Sequence, residues 1–219
     1  VLNQDYYQVT LPQTGNTDDA ELQDRIRTIL EAEFGNQATI SALERVDSVV
    51  GSEFRVTAFF TVLVASVIIL GYIAMRFKLA FGLGAVAALI HDLIIALGIF
   101  ILLGNSLTLD IVSALLIILG YSVNDTIVVF DRIRENMKEY YSKSIGEVIN
   151  ISINQTLTRT VFTSGTTLIT ILSMLILGGI ALKDFAMILL IGIIAGTYSS
   201  IFVASAVVNT ILTREEARE

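Results

Sequence analysis

Five long apolar runs dominate the chain, at about residues 56–75, 79–103, 107–130, 161–180 and 185–208. Each reaches the roughly 20 residues that an α-helix needs to cross the ~30 Å hydrocarbon core of a bilayer. Every backbone amide in that core must be satisfied within its own segment, so these runs are predicted to be transmembrane helices. Residues 1–52 read differently, as part of an extramembrane α+β domain. Tyr7, Val9 and Leu11 alternate with polar residues, as in a half-buried strand. Thr14-Gly15-Asn16-Thr17-Asp18 is a turn signal, and Asp18 and Glu21 stand at capping-box spacing. Leu22, Ile26, Ile29, Leu30 and Phe34 then follow a helical stripe that Gly35 would close. Residues 38–46 suggest a second strand. A strand–helix–strand of this size buries too little apolar surface to stand alone, so it is expected to belong to something larger. The fold class predicted is an all-α polytopic membrane bundle over 53–210, preceded by a small α+β segment.

Between the third and fourth runs, residues 131–160 are polar. Ile133, Met137, Tyr141, Ile145 and Val148 recur there at helical spacing. The pattern predicts an amphipathic helix along the membrane surface. It should break near Ser142-Lys143-Ser144-Ile145-Gly146, where Ser144 and Glu147 are spaced to cap a second helix. Lys and Arg alternate between connections. Arg76 and Lys78 lie in the first, Arg132, Arg134, Lys138, Lys143 and Arg159 in or beside the third, and Arg214 and Arg218 in the tail. The second connection has none and the fourth only Lys183. By the positive-inside rule, the 131–160 loop and the 211–219 tail are cytoplasmic and the N-terminal segment is outside. An outside N-terminus with no signal peptide and no initiating Met implies upstream sequence carrying a further span, six in all.

Composition narrows the function classes. The 219 residues are 54% hydrophobic, with a mean hydropathy of +0.74, above the range of soluble domains. The net charge of −7 sits largely in the terminal segments, and no basic patch with interleaved aromatics points to nucleic acid. With no Cys and one His, neither a disulfide framework nor a metal site is indicated, and no cofactor is expected. One Pro in the chain leaves helix breaks to Gly.

The candidate chemistry lies inside the apolar runs. Asn124 and Asp125 interrupt the third. An Asp at a transmembrane helix centre costs from roughly 2.5–3.5 kcal/mol upward, so one that is kept is by default a functional group with a partner. Counted back from Arg132, Asp125 is about 10 Å inside the helix end at 1.5 Å per residue, too deep for its short side chain to reach water through lipid. Burial favours its neutral form and a nearby cation its charged form, which poises it to bind and release protons. The partner nominated is Arg159, at the front of the fourth run. A snorkelling membrane anchor is the simpler alternative for that Arg. Against it, the polar run continues through Thr160, Thr163, Ser164, Thr166, Thr167 and Thr170, and small hydroxyl residues favour close helix packing. His91 and Asp92, in the second run, are adjacent and so point about 100° apart. They read as a secondary polar contact or part of a proton path, with Thr126 as a further polar position. Gly192 and Gly196 form a GxxxG, a helix-packing motif.

Gly120-Tyr-Ser-Val-Asn-Asp-Thr-Ile-Val-Val-Phe-Asp-Arg-Ile-Arg-Glu-Asn136 resembles the end of the fourth transmembrane helix of the SecF family, the smaller half of the bacterial SecDF protein-export complex. Ala88-Leu-Ile-His-Asp92, Gln155-Thr-Leu-Thr-Arg-Thr160 and Gly196-Thr-Tyr-Ser-Ser-Ile201 resemble that family in the same order, as does Val46-Asp-Ser-Val-Val-Gly51. The similarity runs from about residue 46 onward. It implies six helices of the resistance–nodulation–division (RND) type paired with six from SecD, in a multi-pass protein of the bacterial inner membrane. It also implies proton-driven assistance to the late, SecA-independent stage of export. The implied partners are SecD, the SecYEG channel, YajC and YidC, the translocating preprotein, protons and membrane lipids, with no nucleic acid. By resemblance, Asp125 and Arg159 belong to the proton path, and Asn124, beside Asp125, is counted with them. Two other readings compete. A small-molecule or lipid exporter of RND type would carry larger porter domains. An intramembrane aspartyl protease using Asp92 and Asp125 would require a GxGD arrangement that this chain lacks. A plain scaffold leaves Asp125 unexplained.

Overall fold

A computed structural model describes residues 19–34 and 48–217. The chain divides into two compact units, Val1–Arg55 and Val56–Glu219. In the first, α1 covers Asp19–Phe34, the helix predicted from the stripe of Leu22 to Phe34. Thr28 Oγ1 donates to the Asp24 carbonyl one turn back, at 2.7 Å. The strands predicted at 7–11 and 38–46, the turn at 14–18 and the Asp18 and Gly35 caps lie outside the described residues.

The other helices are α2 (Ser48–Arg76), α3 (Leu79–Leu102), α4 (Leu109–Glu139), α5 (Ile145–Leu177), α6 (Gly179–Tyr198) and α7 (Ala204–Glu216), with a π-helical turn at Ser199–Val203 joining the last two. Among the described residues, five segments are long and apolar enough to cross a membrane: Val56–Arg76, Leu79–Leu102, Leu109–Glu139, Ile145–Leu177 and Leu182–Glu216. The large side chains left outside suit lipid as solvent: on α2, Phe59, Phe60, Val64, Val67 and Ile68 are all exposed.

Two apolar cores hold the second unit together. One surrounds Phe77, Phe81 and Phe130. Phe81 and Phe130 meet edge-to-face with ring centroids 5.0 Å apart, a favoured aromatic geometry. Ile73, Val129, Ile133, Ala204 and Val208 close around them. The other gathers Phe100, Ile111, Ile118, Ile171, Ile188 and Ile193. The turn from α3 to α4 is a Schellman motif. Gly104 takes φ +82°, its N–H donates to Ile101 O at 2.9 Å, and Asn105 N–H donates to Phe100 O at 3.4 Å. A side chain at position 104 would be strained in that left-handed conformation.

The separate surface helix expected within 131–160 requires correction. Residues 131–139 prolong α4 and residues 145–160 open α5. The 31 residues of α4 and 33 of α5 span about 46 and 50 Å at 1.5 Å per residue, well beyond a ~30 Å hydrocarbon core. No Gly or Pro interrupts 131–139, and tertiary contacts anchor the extension. Asp131 lies between Arg76, at 2.7 Å, and Arg134, at 3.1 Å, and both guanidinium groups stand over the Phe77 ring. The break falls at Tyr140–Ser144 as predicted. Ser144 and Glu147 form the capping box at the start of α5, side chain to backbone in both directions.

Candidate functional site

The polar residues of the apolar runs sort into two groups by helix face. On α4, Ser122, Asp125 and Thr126 are buried while Asn124 is exposed. Asp125 is 4% exposed, and its Oδ2 has no hydrogen-bond partner. Arg159, on α5, is exposed. No direct ion pair joins it to Asp125 among the described residues. Asp125 thus turns inward while Arg159 and Asn124 are left on the exposed faces of their helices.

The second group centres on Asp92, which is 0% exposed. Ser122 Oγ on α4 donates to its Oδ2 at 2.5 Å, and Ser199 Oγ, in the π turn, donates to the same oxygen at 2.9 Å. His91 Nδ1 lies 3.0 Å from Oδ1. Although adjacent, the two side chains curl toward each other, so the separation expected from the 100° step does not keep them apart. The half-buried His91 ring also lies against Tyr198, with centroids 5.9 Å apart. Asp92 thus ties α3 to α4 and to the π turn, an irregularity often found at functional sites.

Gly192 and Gly196 line the contact of α6 with α4. A Cβ at Gly192 would collide with the Ile118 side chain, and one at Gly196 would lie 3.1 Å from Ser122 Cβ. The glycines therefore bring α6 down onto the residue that donates to Asp92. Beside them, Tyr121 OH donates to Ser164 Oγ at 3.3 Å, and Ser164 shares a 2.8 Å hydrogen bond with Thr197.

Sequence reasoning gave no role to Ser122 or to Ser199 as partners of a carboxylate. Ser122 stands three residues before Asp125, on the same buried face, and that spacing was the available signal. Nothing local marks Ser199, which is 107 positions from Asp92. Among the described residues, no cluster of His, Asp and Glu is arranged to hold a metal ion.

Residues 26–214 match the family described as "Protein export membrane protein SecD/SecF, C-terminal". The chain belongs to the SecD/SecF family. It is 49% identical over 188 residues to the protein translocase subunit SecF of Desulfurispirillum indicum, an alignment covering 84% of this chain and 60% of that protein. It is 47% identical over 200 residues to the protein translocase subunit SecDF of Thermus thermophilus, covering 90% and 27%. A crystal structure of SecDF from Thermus thermophilus, a translocon-associated membrane protein, superposes with a TM-score of 0.82 at 44% identity, over 90% of this chain and 27% of that one. A second crystal structure, of SecDF in a super-membrane-facing form, gives 0.76 at 42% identity, over 92% and 27%. The chain therefore spans about three-fifths of the first SecF relative and about a quarter of SecDF. Four of the five SecD/SecF-like motifs read from the sequence fall on α3 through the π turn, the elements that build both carboxylate sites, and the fifth, at 46–51, runs into the start of α2.

Proposed function

We propose that this chain acts as the SecF-type half of a proton-driven protein-export assembly in the bacterial inner membrane. The observation that carries the reading is Asp125. It is a buried carboxylate on a membrane-length helix, with one oxygen unpartnered, and the next helix carries the cation of Arg159. A group held between burial and an opposing charge changes protonation when water enters or the cation moves. Asp125 is the proton carrier in this reading and Arg159 tunes it. Asn124 faces outward from α4 toward a partner helix. Thr126, His91 and Asp92 support the site, and Gly192 and Gly196 pack it.

The domain plan follows the sequence. Residues 1–52 belong to a periplasmic domain, residues 53–210 to an RND-type bundle, and residues 211–219 to a cytoplasmic tail. The end of the bundle carrying Arg76, Arg132 and Arg134 faces the cytoplasm by the positive-inside rule. SecD supplies the complementary half, SecYEG the channel, and YajC and YidC accompany them. The preprotein is gripped outside while protons cross the interface, and no cofactor takes part.

Export into inverted vesicles, with and without a proton gradient, tests the reading. Asp125→Asn keeps size and hydrogen bonding but cannot titrate, so it should leave assembly intact and remove the gradient-dependent stimulation. A wild-type response in Asp125→Asn vesicles would make Asp125 a structural residue and sink the mechanism.

A further inference from the structure

Three hydrogen bonds fix the antiparallel register of α4 against α5. Tyr121 bonds Ser164, Arg132 Nε donates to Gln155 Oε1 at 2.6 Å, and Asn136 Nδ2 donates to Ser152 Oγ at 2.8 Å. One residue forward on α4 matches one residue back on α5. Stepping from either end, Asp125 falls level with positions 160–162. Val161 and Phe162 are 55% and 71% exposed, whereas Thr160 is 1% exposed. Thr160 is therefore the inward-facing residue at the level of Asp125.

Thr160 also breaks the habit of its helix. A helical Thr commonly donates to a carbonyl one turn back, and Thr156, Thr163, Thr166, Thr167 and Thr170 all do so. Thr160 Oγ1 instead has no partner, and Asp125 Oδ2 is in the same condition. Buried polar atoms are rarely left so, and two at one level of one helix contact point to a shared ligand. Ser152, Thr156, Thr160 and Ser164 are all buried and recur at every fourth position. This row of hydroxyls leads from the Asn136 contact, at the Arg-rich end, up to Asp125.

We infer that Thr160 completes the Asp125 site, and that the Ser152–Thr156–Thr160 row is the route by which a proton leaves Asp125 toward the Arg-rich end of the bundle. This rests on Asp125 being the proton carrier. The neutral carboxyl gives its proton from Oδ2 to a water held between it and Thr160 Oγ1, and that water, now hydronium, passes a proton on along the row. The water and Thr160 are thus unchanged, and the carboxyl becomes a carboxylate. The charged side chain that α5 carries beside Thr160 is Arg159, which is exposed. His91 and Asp92 on α3 are engaged with each other and with Ser122 and Ser199. At this level α6 and the π turn present Thr197, Ser199 and Ser200, and Tyr121 is bonded to Ser164.

The test compares Thr160→Val, which keeps the shape and removes the hydroxyl, with Thr160→Ser, which keeps the hydroxyl, and with Asp125→Asn. Each is measured in the assembled complex for gradient-stimulated export across a pH series. Thr160→Val should slow the stimulated rate about fivefold, the worth of one hydrogen bond, and move the midpoint of the pH profile. Thr160→Ser should keep the wild-type profile, and Asp125→Asn should abolish the response. A wild-type profile in Thr160→Val, with the response lost in Asp125→Asn, overturns the Thr160 route and leaves the Asp125 reading standing. A wild-type response in Asp125→Asn overturns both. The infrared stretch of the protonated carboxyl, assigned by its loss in Asp125→Asn, gives a readout independent of export. It should lie at higher frequency in Thr160→Val or Thr160→Ala than in Thr160→Ser, and equal frequencies overturn the place of Thr160 in the site.

Discussion

Asp92 and Asp125 lie in one bundle, 0% and 4% exposed. Asp92 accepts from two seryl hydroxyls and faces a histidine nitrogen, while Asp125 leaves Oδ2 with nothing. Removing a charge from water costs several kcal/mol, and hydrogen bonds to the charged form repay part of it. Asp92 recovers that cost inside the protein and in doing so fastens three elements together. Asp125 does not, and no cation pairs with it among the described residues. The difference separates a carboxylate used as a fastener from one left free to change state, although composition and hydropathy treat the two alike.

The comparison breaks most visibly if the fastener is removed. Asp92→Ala strands both seryl hydroxyls and should destabilise the protein by roughly 3 kcal/mol, given 1.5–3 kcal/mol for a bond to a charged group. Asp125→Asn should leave thermal stability near wild type or raise it. Equal losses in Tm at the two positions would erase the distinction.

A smaller effect sharpens the fastener's mechanism. Gly196→Ala places a methyl 3.1 Å from Ser122 Cβ and should cost about 1–2 kcal/mol as overpacking. If that cost arises by displacing the Ser122–Asp92 bond, it shrinks in an Asp92→Ala background. Strict additivity in the double mutant would uncouple the α6 contact from the network.

The smallest effect bears on Asp125. Asn136 is fully buried and donates to Ser152 at 2.8 Å and to Gln155 at 2.7 Å. Asn136→Ala should cost about 1 kcal/mol and speed hydrogen exchange around Ser152, while leaving protection around Asp92 unchanged. Unaltered exchange near Ser152 would mean that the α4–α5 register rests on other contacts.

The spans were legible because lipid imposes a length and a composition that few other structures meet. Asp125 was legible for the converse reason, as a cost that needs explaining. The C-terminal end of α4 was not. Reading the end of an apolar run as the end of a helix placed the boundary of α4 at the membrane surface, whereas the helix continues to Glu139 on ion pairs and cation–π contacts that water permits. The Ser144–Glu147 cap was readable because capping is local. The partners of Asp92 were not, since they arrive from 30 and 107 positions away. Neither was Thr160 as distinct from its neighbours, because a hydroxyl bonded one turn back and one left unpaired are spelled by the same residue.

The π turn at Ser199–Val203 does one thing more than bring Ser199 to Asp92. Outward-facing positions along this last segment fall at Ile194, Tyr198, Phe202, Ala206 and Thr210, every fourth residue. On an uninterrupted α-helix a row with that step creeps around the axis by about 40° per step, because 3.6 residues complete a turn. The wider turn takes back much of that creep within a few residues. It works as a phase correction, letting the final helix of the bundle keep one side to its neighbours and the other to the surroundings for its whole length.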